Sequence, residues 1–176
     1  MKVMHKIFKI LIQEYYFYTH RTQIRYVLPR AVSCFIKSYH FRLVVLLRIR
    51  HLLPWPLWMT QHYIQRTFGV EISTKATIGQ RLRLAYLPGI VIGSGSVIGD
   101  DCNMFQGVLL GQSHGRFPVI GNNVTLCAYS CVLGGVRIGD NVIVLANSVV
   151  THDIPSNSIV AGTPARVIKT KGDIQV

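Results

Sequence analysis

Acidic residues are scarce in this 176-residue sequence, with seven Asp and Glu against nineteen Lys and Arg. The shortage is uneven. Residues 1–70 hold eleven Lys/Arg and one acid, Glu14, for a net of +10, whereas residues 71–176 hold eight Lys/Arg and six acids, for +2. A basic half of this kind implies an anionic partner, be it a membrane surface, an acidic glycan or nucleic acid, unless it is a solvated cationic face. Nucleic acid is set aside, because no helix-turn-helix and no aromatic stacking platform accompanies the charge. Long apolar runs are missing too. The best, FRLVVLLRIRHLL (41–53), is interrupted by Arg42, Arg48 and Arg50, well short of the roughly 20 residues a membrane span needs. The opening MKVMHKIFKILIQEYYFY has a short apolar run followed by no small-residue cleavage site, so it is not expected to act as a signal peptide. Four cysteines (Cys34, Cys102, Cys127, Cys131) form no CxxC pair and have no His at ligand spacing. That argues against zinc and for free buried thiols in a reducing compartment.

What is present is apolar and ordered. Hydrophobic residues make up 49% and charged ones only 15%, the balance of a globular chain with a core of one domain plus a small extension. Lys2, Lys6, Lys9 and Gln13 fall on one stripe of a helix, with Ile7, Ile10 and Leu11 largely opposite. This amphipathic basic helix either lies on an anionic membrane or packs its apolar face on the protein. Two further helices, FRLVVLLRIRHLL and LWMTQHYIQRTF, are separated by Pro54 and Pro56. A basic helical region over 1–68 therefore precedes a different organisation from 69 to 176.

That second part repeats. Aliphatic residues recur at Ile72, Ile78 and Leu84, then at Ile92, Ile98, Met104 and Leu110, then at Ile120, Leu126, Val132, Ile138, Val144 and Val150. Every interval is six except 84 to 92, which is eight, and 110 to 120, which is ten. Six matches neither the 3.6-residue helix nor a meander of hairpins. It suits a triangular coil with one short strand per side, a tight turn per corner and the aliphatic residue pointing inward. Gly, Asn and Asp cluster where corners fall, as in Gly121-Asn122-Asn123 and Gly139-Asp140-Asn141, and these residues tolerate left-handed turns. The expected architecture is mainly β: a parallel β-helix of stacked hexads with an N-terminal α-helical segment. Insertions that keep the beat must loop out at corners, where function can be grafted. The first break carries Tyr86 in AYLPG, and the second, GQSHGRFPVIG, carries His114 and Arg116.

The hexads VIGSGSVIGDD and the closing SVVTHDIPSNSIVAGTPARVI resemble the hexapeptide-repeat acyltransferases, over about residues 69–170. FGVEI followed by the two breaks is most similar to the serine acetyltransferase branch, which includes enzymes acting on capsular and exopolysaccharide sugars. The resemblance implies a left-handed coil, acetyl-CoA as acyl donor with no metal, and a homotrimer with active sites between neighbouring prisms. By the same resemblance, Ala128 and Ala146, one coil apart, would form a flat strip for the pantetheine arm. Thr151, His152 and Arg166 match positions that bind the rest of CoA, and Arg suits its phosphates.

The catalytic positions depart from that branch. Its base is a His in the first break beside an acid, with an Asp upstream; this chain has Tyr86, Ala85 and Glu71 there, and Phe117 replaces the loop His. A phenol with a pKa near 10 is a poor base, whereas an imidazole near 6.5 is a good one. His114 is therefore the candidate base, with His62 of the helical part, or no catalysis, as alternatives. Tyr86 is cast as a hydrogen-bond donor to substrate or a wall of the cleft, and Glu71 and Arg116 as acceptor-binding residues. The expected activity is acetyl-CoA-dependent O-acetylation of a sugar hydroxyl on a capsular, exopolysaccharide or lipid-linked glycan. The expected location is cytoplasmic, with peripheral contact at the inner face of the membrane as an alternative to a free cytoplasmic protein. The alternatives are serine O-acetylation for cysteine synthesis and an inactive trimeric scaffold.

Overall fold

The computed structural model describes residues 2–19, 27–52 and 56–170; Pro54 and Trp55 lie outside the described residues. The chain divides into two compact units, Met1–Ile64 and Gln65–Val176. In the first, α1 (Lys2–Thr19), α2 (Val27–Lys37) and α3 (Tyr39–Ile49) pack on one another around Leu11, Tyr15, Ala31, Phe41, Val45 and Ile49. Ser38 caps α3, its hydroxyl accepting from the Phe41 N–H at 3.3 Å. Lys6, Lys9 and Gln13 of α1 are exposed while Leu11 and Tyr15 are buried, so the apolar stripe of the basic helix is used against its own helical neighbours. Glu14, the acid of this half, sits nearly buried and accepts from Arg48 Nε at 3.2 Å. A short turn of 3-10 helix (Arg50–Leu52) follows, and then α4 (Leu57–Phe68). No helix among the described residues is long and apolar enough to cross a membrane.

The second unit is the coil that the six-residue beat calls for: a parallel β-helix of three sheets. The first side stacks Glu71–Ile72, Val91–Ile92, Leu109–Gly111, Cys131–Leu133 and Val149–Val150. The second stacks Thr77–Ile78, Val97–Ile98, Val119–Ile120 and Arg137–Ile138. The third stacks Arg83–Leu84, Asn103–Met104, Thr125–Leu126, Ile143–Val144 and Ser158–Gly162, and the tail Ala165–Thr170 folds back antiparallel on the last of these. Beat residues sit over one another: Ile72, Ile92, Leu110, Val132 and Val150 share one column. All thirteen beat side chains point inward and all but Ile78 are buried. A second inward column stands two residues before each beat and is more varied: Ile90, Ser96, Cys102, Pro118, Ser130 and Ser148 are among its buried members.

One corner, between the second and third sides, is closed by side chains. Asp100 Oδ1 accepts from the Gln80 N–H at 2.7 Å, Asn122 Oδ1 from the Asp100 N–H at 2.8 Å, Asp140 Oδ1 from the Asn122 N–H at 2.6 Å and Ser156 Oγ from the Asp140 N–H at 3.0 Å. Corner amides that the strands leave unpaired are thus satisfied by the next coil. The residue after each, Arg81, Asp101, Asn123, Asn141 and Asn157, has φ between 53° and 61°, and the Asn amides form a ladder at 2.8 and 2.9 Å. At its head Arg81 grips Asp101 with two bonds of 2.6 Å. Those bonds, and then the guanidinium charge, hold the Asp101 carboxyl below its usual range against slight desolvation.

Truncating Leu126, which is fully buried, to Ala should lower stability by about 2–5 kcal/mol. Ser96→Ala should instead raise the melting temperature, because the Ser96 hydroxyl is buried with no hydrogen-bond partner. Asp101→Asn keeps a residue tolerant of the left-handed turn. Because the folded carboxyl titrates below its unfolded value, the wild type should be the more stable above about pH 3.9. Denaturant midpoints for the two should converge as pH falls through the folded value.

Candidate active site

The breaks leave the coil at two different corners. The first follows Leu84 on the third side and ends at Ile92 on the first, so Tyr86 projects from the third–first corner and is 60% exposed. Its ring lies 6.2 Å from that of Phe105, centroid to centroid, at an interplanar angle of 43°. Below it, the same corner carries Ala128 and Ala146, one coil apart, where the Asn147 N–H donates to the Ala128 carbonyl at 3.0 Å. The expected pantetheine strip and Tyr86 therefore share one edge.

The second break follows Leu110 on the first side and ends at Ile120 on the second, so it leaves from the first–second corner. Ser113 and Arg116 exchange two backbone hydrogen bonds of 3.1 Å, closing a two-residue hairpin. His114 at φ 51° and Gly115 at φ 74° form its tip, the paired positive φ of a type I′ turn. Ser113 Oγ lies 3.0 Å from His114 Nδ1. In the tautomer whose Nδ1–H donates to that hydroxyl, Nε2 is left as the acceptor nitrogen of the exposed ring. Arg116 packs its stem over Gly135 of the following coil. Phe117, where the resemblance places a His, instead covers Gly93 and Gly95: a β-carbon at Gly95 would meet the ring at 2.6 Å. Thr151 and His152 turn the same corner further down the stack.

Within one chain, then, His114, Arg116, Thr151 and His152 line one corner, and Tyr86, Ala128 and Ala146 the next. The first side lies between them, five to six residues or roughly 16–20 Å across. Glu71 is exposed on the outer face of that side, in its first strand. Arg166 is exposed on the returning tail strand, opposite Ala161. Burial pushes the Cys127 thiol up, leaving it neutral beside the alanine strip. Among the described residues no three His, Cys, Asp or Glu side chains gather as a metal site. Residues 83, 103, 105 and 125, unremarked in the sequence, also meet on the outer face of the third side. With Ala85 and Tyr86 they line an open groove of about 410 Å³. The signal for them was the 20- and 22-residue spacing of the coils that contain the breaks.

Comparison with known proteins agrees with the fold. Residues 117–152 match the bacterial transferase hexapeptide family, described by six repeats. The chain is similar to the serine acetyltransferase-like branch of the hexapeptide-repeat proteins. The serine acetyltransferase of Synechococcus elongatus is 42% identical over 118 residues, covering 65% of this chain and 48% of that protein. The corresponding protein of Staphylococcus epidermidis is 38% identical over 135 residues, covering 69% and 63%. The chain thus spans about half to somewhat under two thirds of the length of these relatives. The crystal structure of Neisseria gonorrhoeae serine acetyltransferase superposes with a TM-score of 0.78 at 27% identity, over 98% of this chain and 69% of that one.

The fit of the second loop to the coil is testable. Gly95→Ala should displace the Phe117 ring and lower stability by about 1–3 kcal/mol, with faster amide exchange confined to the hairpin around His114. In a Phe117→Ala background the same change should be nearly silent, and the double-mutant cycle reads the coupling.

Proposed function

We propose that this β-helix transfers an acetyl group from acetyl-CoA to a hydroxyl. In that reaction the acceptor oxygen bonds to the thioester carbon, the carbon–sulfur bond breaks, and CoA leaves as the thiol with the proton the hydroxyl gave up. The observation that carries this reading is the shared edge of Tyr86, Ala128 and Ala146 in a coil of the serine acetyltransferase kind. The alanine strip would take the pantetheine arm, with Thr151, His152 and Arg166 toward the rest of CoA. His114 is the base in this reading, its ring oriented by Ser113. Since one chain holds His114 and Tyr86 at different corners, we read the working site as completed by a neighbouring copy, in a homotrimer.

Two acceptors remain in play, and different observations favour them. The named relatives are serine acetyltransferases, which backs L-serine better than the sugar hydroxyl expected from the sequence. The sugar reading rests on this chain's own residues: Ala85, Tyr86 and Phe117 stand where the resemblance places groups that activate serine. The basic helical unit, with Trp58, Met59 and Tyr63 of α4 exposed, would suit an acceptor held at an anionic surface.

Release of CoA thiol should be followed with L-serine and with a panel of sugars and capsule oligosaccharides. Release with one of these acceptors is the expected result; none with any would favour the inactive scaffold. His114→Asn, which preserves the left-handed turn, should reduce kcat about 10²–10⁴-fold with KM little changed. Unchanged kcat would remove His114 from the chemistry.

A further inference from the structure

The outer face of the third side changes character along the stack. Arg83, Asn103 and Thr125 stand in register on its first three strands, and the same position becomes Ile143 and then Ile159 on the next two. With strands about 4.8 Å apart, the polar part forms a ladder roughly 10 Å long. Beside it Tyr86 and Phe105 tilt toward each other, and together these residues bound the groove of about 410 Å³. One edge therefore offers a guanidinium, an amide and a hydroxyl, and the other an aromatic pair.

That combination fits a pyranose. The C–H faces of a sugar ring lie against aromatic surface, while its hydroxyls exchange hydrogen bonds with the Asn amide and the Thr hydroxyl. Arg83 adds a charge preference. It makes no ion pair among the described residues, in contrast to Arg81, which is committed to Asp101. Its forked donors match a carboxylate. No Asp or Glu lines the groove, so nothing there would hold the ammonium of an amino acid. Its size falls in the range of sites for larger ligands.

We propose that this groove is an acceptor subsite for a carboxylate-bearing pyranose, a sugar of the uronic acid class. The aromatic pair seats the ring, and Arg83 holds the carboxylate. The inference rests on the O-acetyltransferase reading and gives it a substrate class. Tyr86 ties the two together, because it ends the groove and begins the corner that carries Ala128 and Ala146.

Binding of methyl β-D-glucuronide, methyl β-D-glucoside and L-serine to the intact chain should be compared by titration with saturation-transfer NMR. The glucuronide should bind about tenfold or more tightly than the glucoside. Arg83→Gln should erase that preference and leave glucoside binding, and Phe105→Ala should weaken both sugars alike. Arg137→Gln, outward on the second side, should change neither. Equal binding of the two sugars, no binding of either, displacement of the glucuronide by L-serine, or equal effects of Arg83→Gln and Arg137→Gln would each overturn the proposal. The two readings fail separately. A glucuronide preference without CoA release from any acceptor sinks the transferase and leaves the groove. CoA release without that preference sinks the groove and leaves the transferase.

Discussion

Everything in the second unit depends on keeping its inward side chains in phase. A coil with three short sides has little area per strand, and two-residue strands are marginal by themselves. Their stability comes from columns of buried side chains, each touching the coil above and the coil below. The coil around Tyr86 runs 20 residues between paired positions and the one around His114 runs 22, yet Ile72 pairs with Ile92 and Leu110 with Val132. The extra residues have been ejected at corners because admitting them would break the columns. Packing therefore decides that any site in this fold lies on an edge.

The three edges are not equivalent. The second–third corner is closed by the relay of Asp100, Asn122, Asp140 and Ser156, with the Asn ladder beside it. Each side chain of the relay satisfies a backbone amide of the neighbouring coil, so an insertion would strand a polar group on both sides of it. The two breaks occupy the other two corners, where such a relay does not run. Regularity at one edge leaves the coil rigid enough for loops at the remaining edges to hold their positions.

Much of the coil is legible in the sequence because the beat residues are large and aliphatic. The second inward column was not, since Ser96, Cys102, Pro118, Ser130 and Ser148 read as corner or surface types. They fit because this column takes small side chains beside large ones such as Leu82 and Ile90 and still buries them. Tyr86 and His114 were legible as insertions. Their separation was written in the phase: Leu84 is the third beat and Leu110 the seventh, four hexads apart where three complete a coil. The groove escaped notice for a related reason. Arg83, Asn103 and Thr125 become neighbours only when the strands are aligned across the enlarged coils.

The departures from the serine acetyltransferase pattern noted in the sequence, Ala85, Tyr86 and Phe117, fall in the two breaks that leave the coil at its corners. The Phe117 ring is seated on Gly93 and Gly95, so the second loop is fastened to the coil by apolar contact at the position where the resemblance puts an imidazole. A packed phenyl ring orients the hairpin but cannot exchange a proton. The hairpin carries its imidazole at the tip, where Ser113 lies against His114. On the other corner, Tyr86 turns its ring toward Phe105 and an open polar ladder. Phe117 thus fills the space over Gly95, while the groove beside Tyr86 stays open on the third side. In the proposed subsite, a ring laid on the aromatic wall of Tyr86 and Phe105 would bring its polar groups to the guanidinium of Arg83.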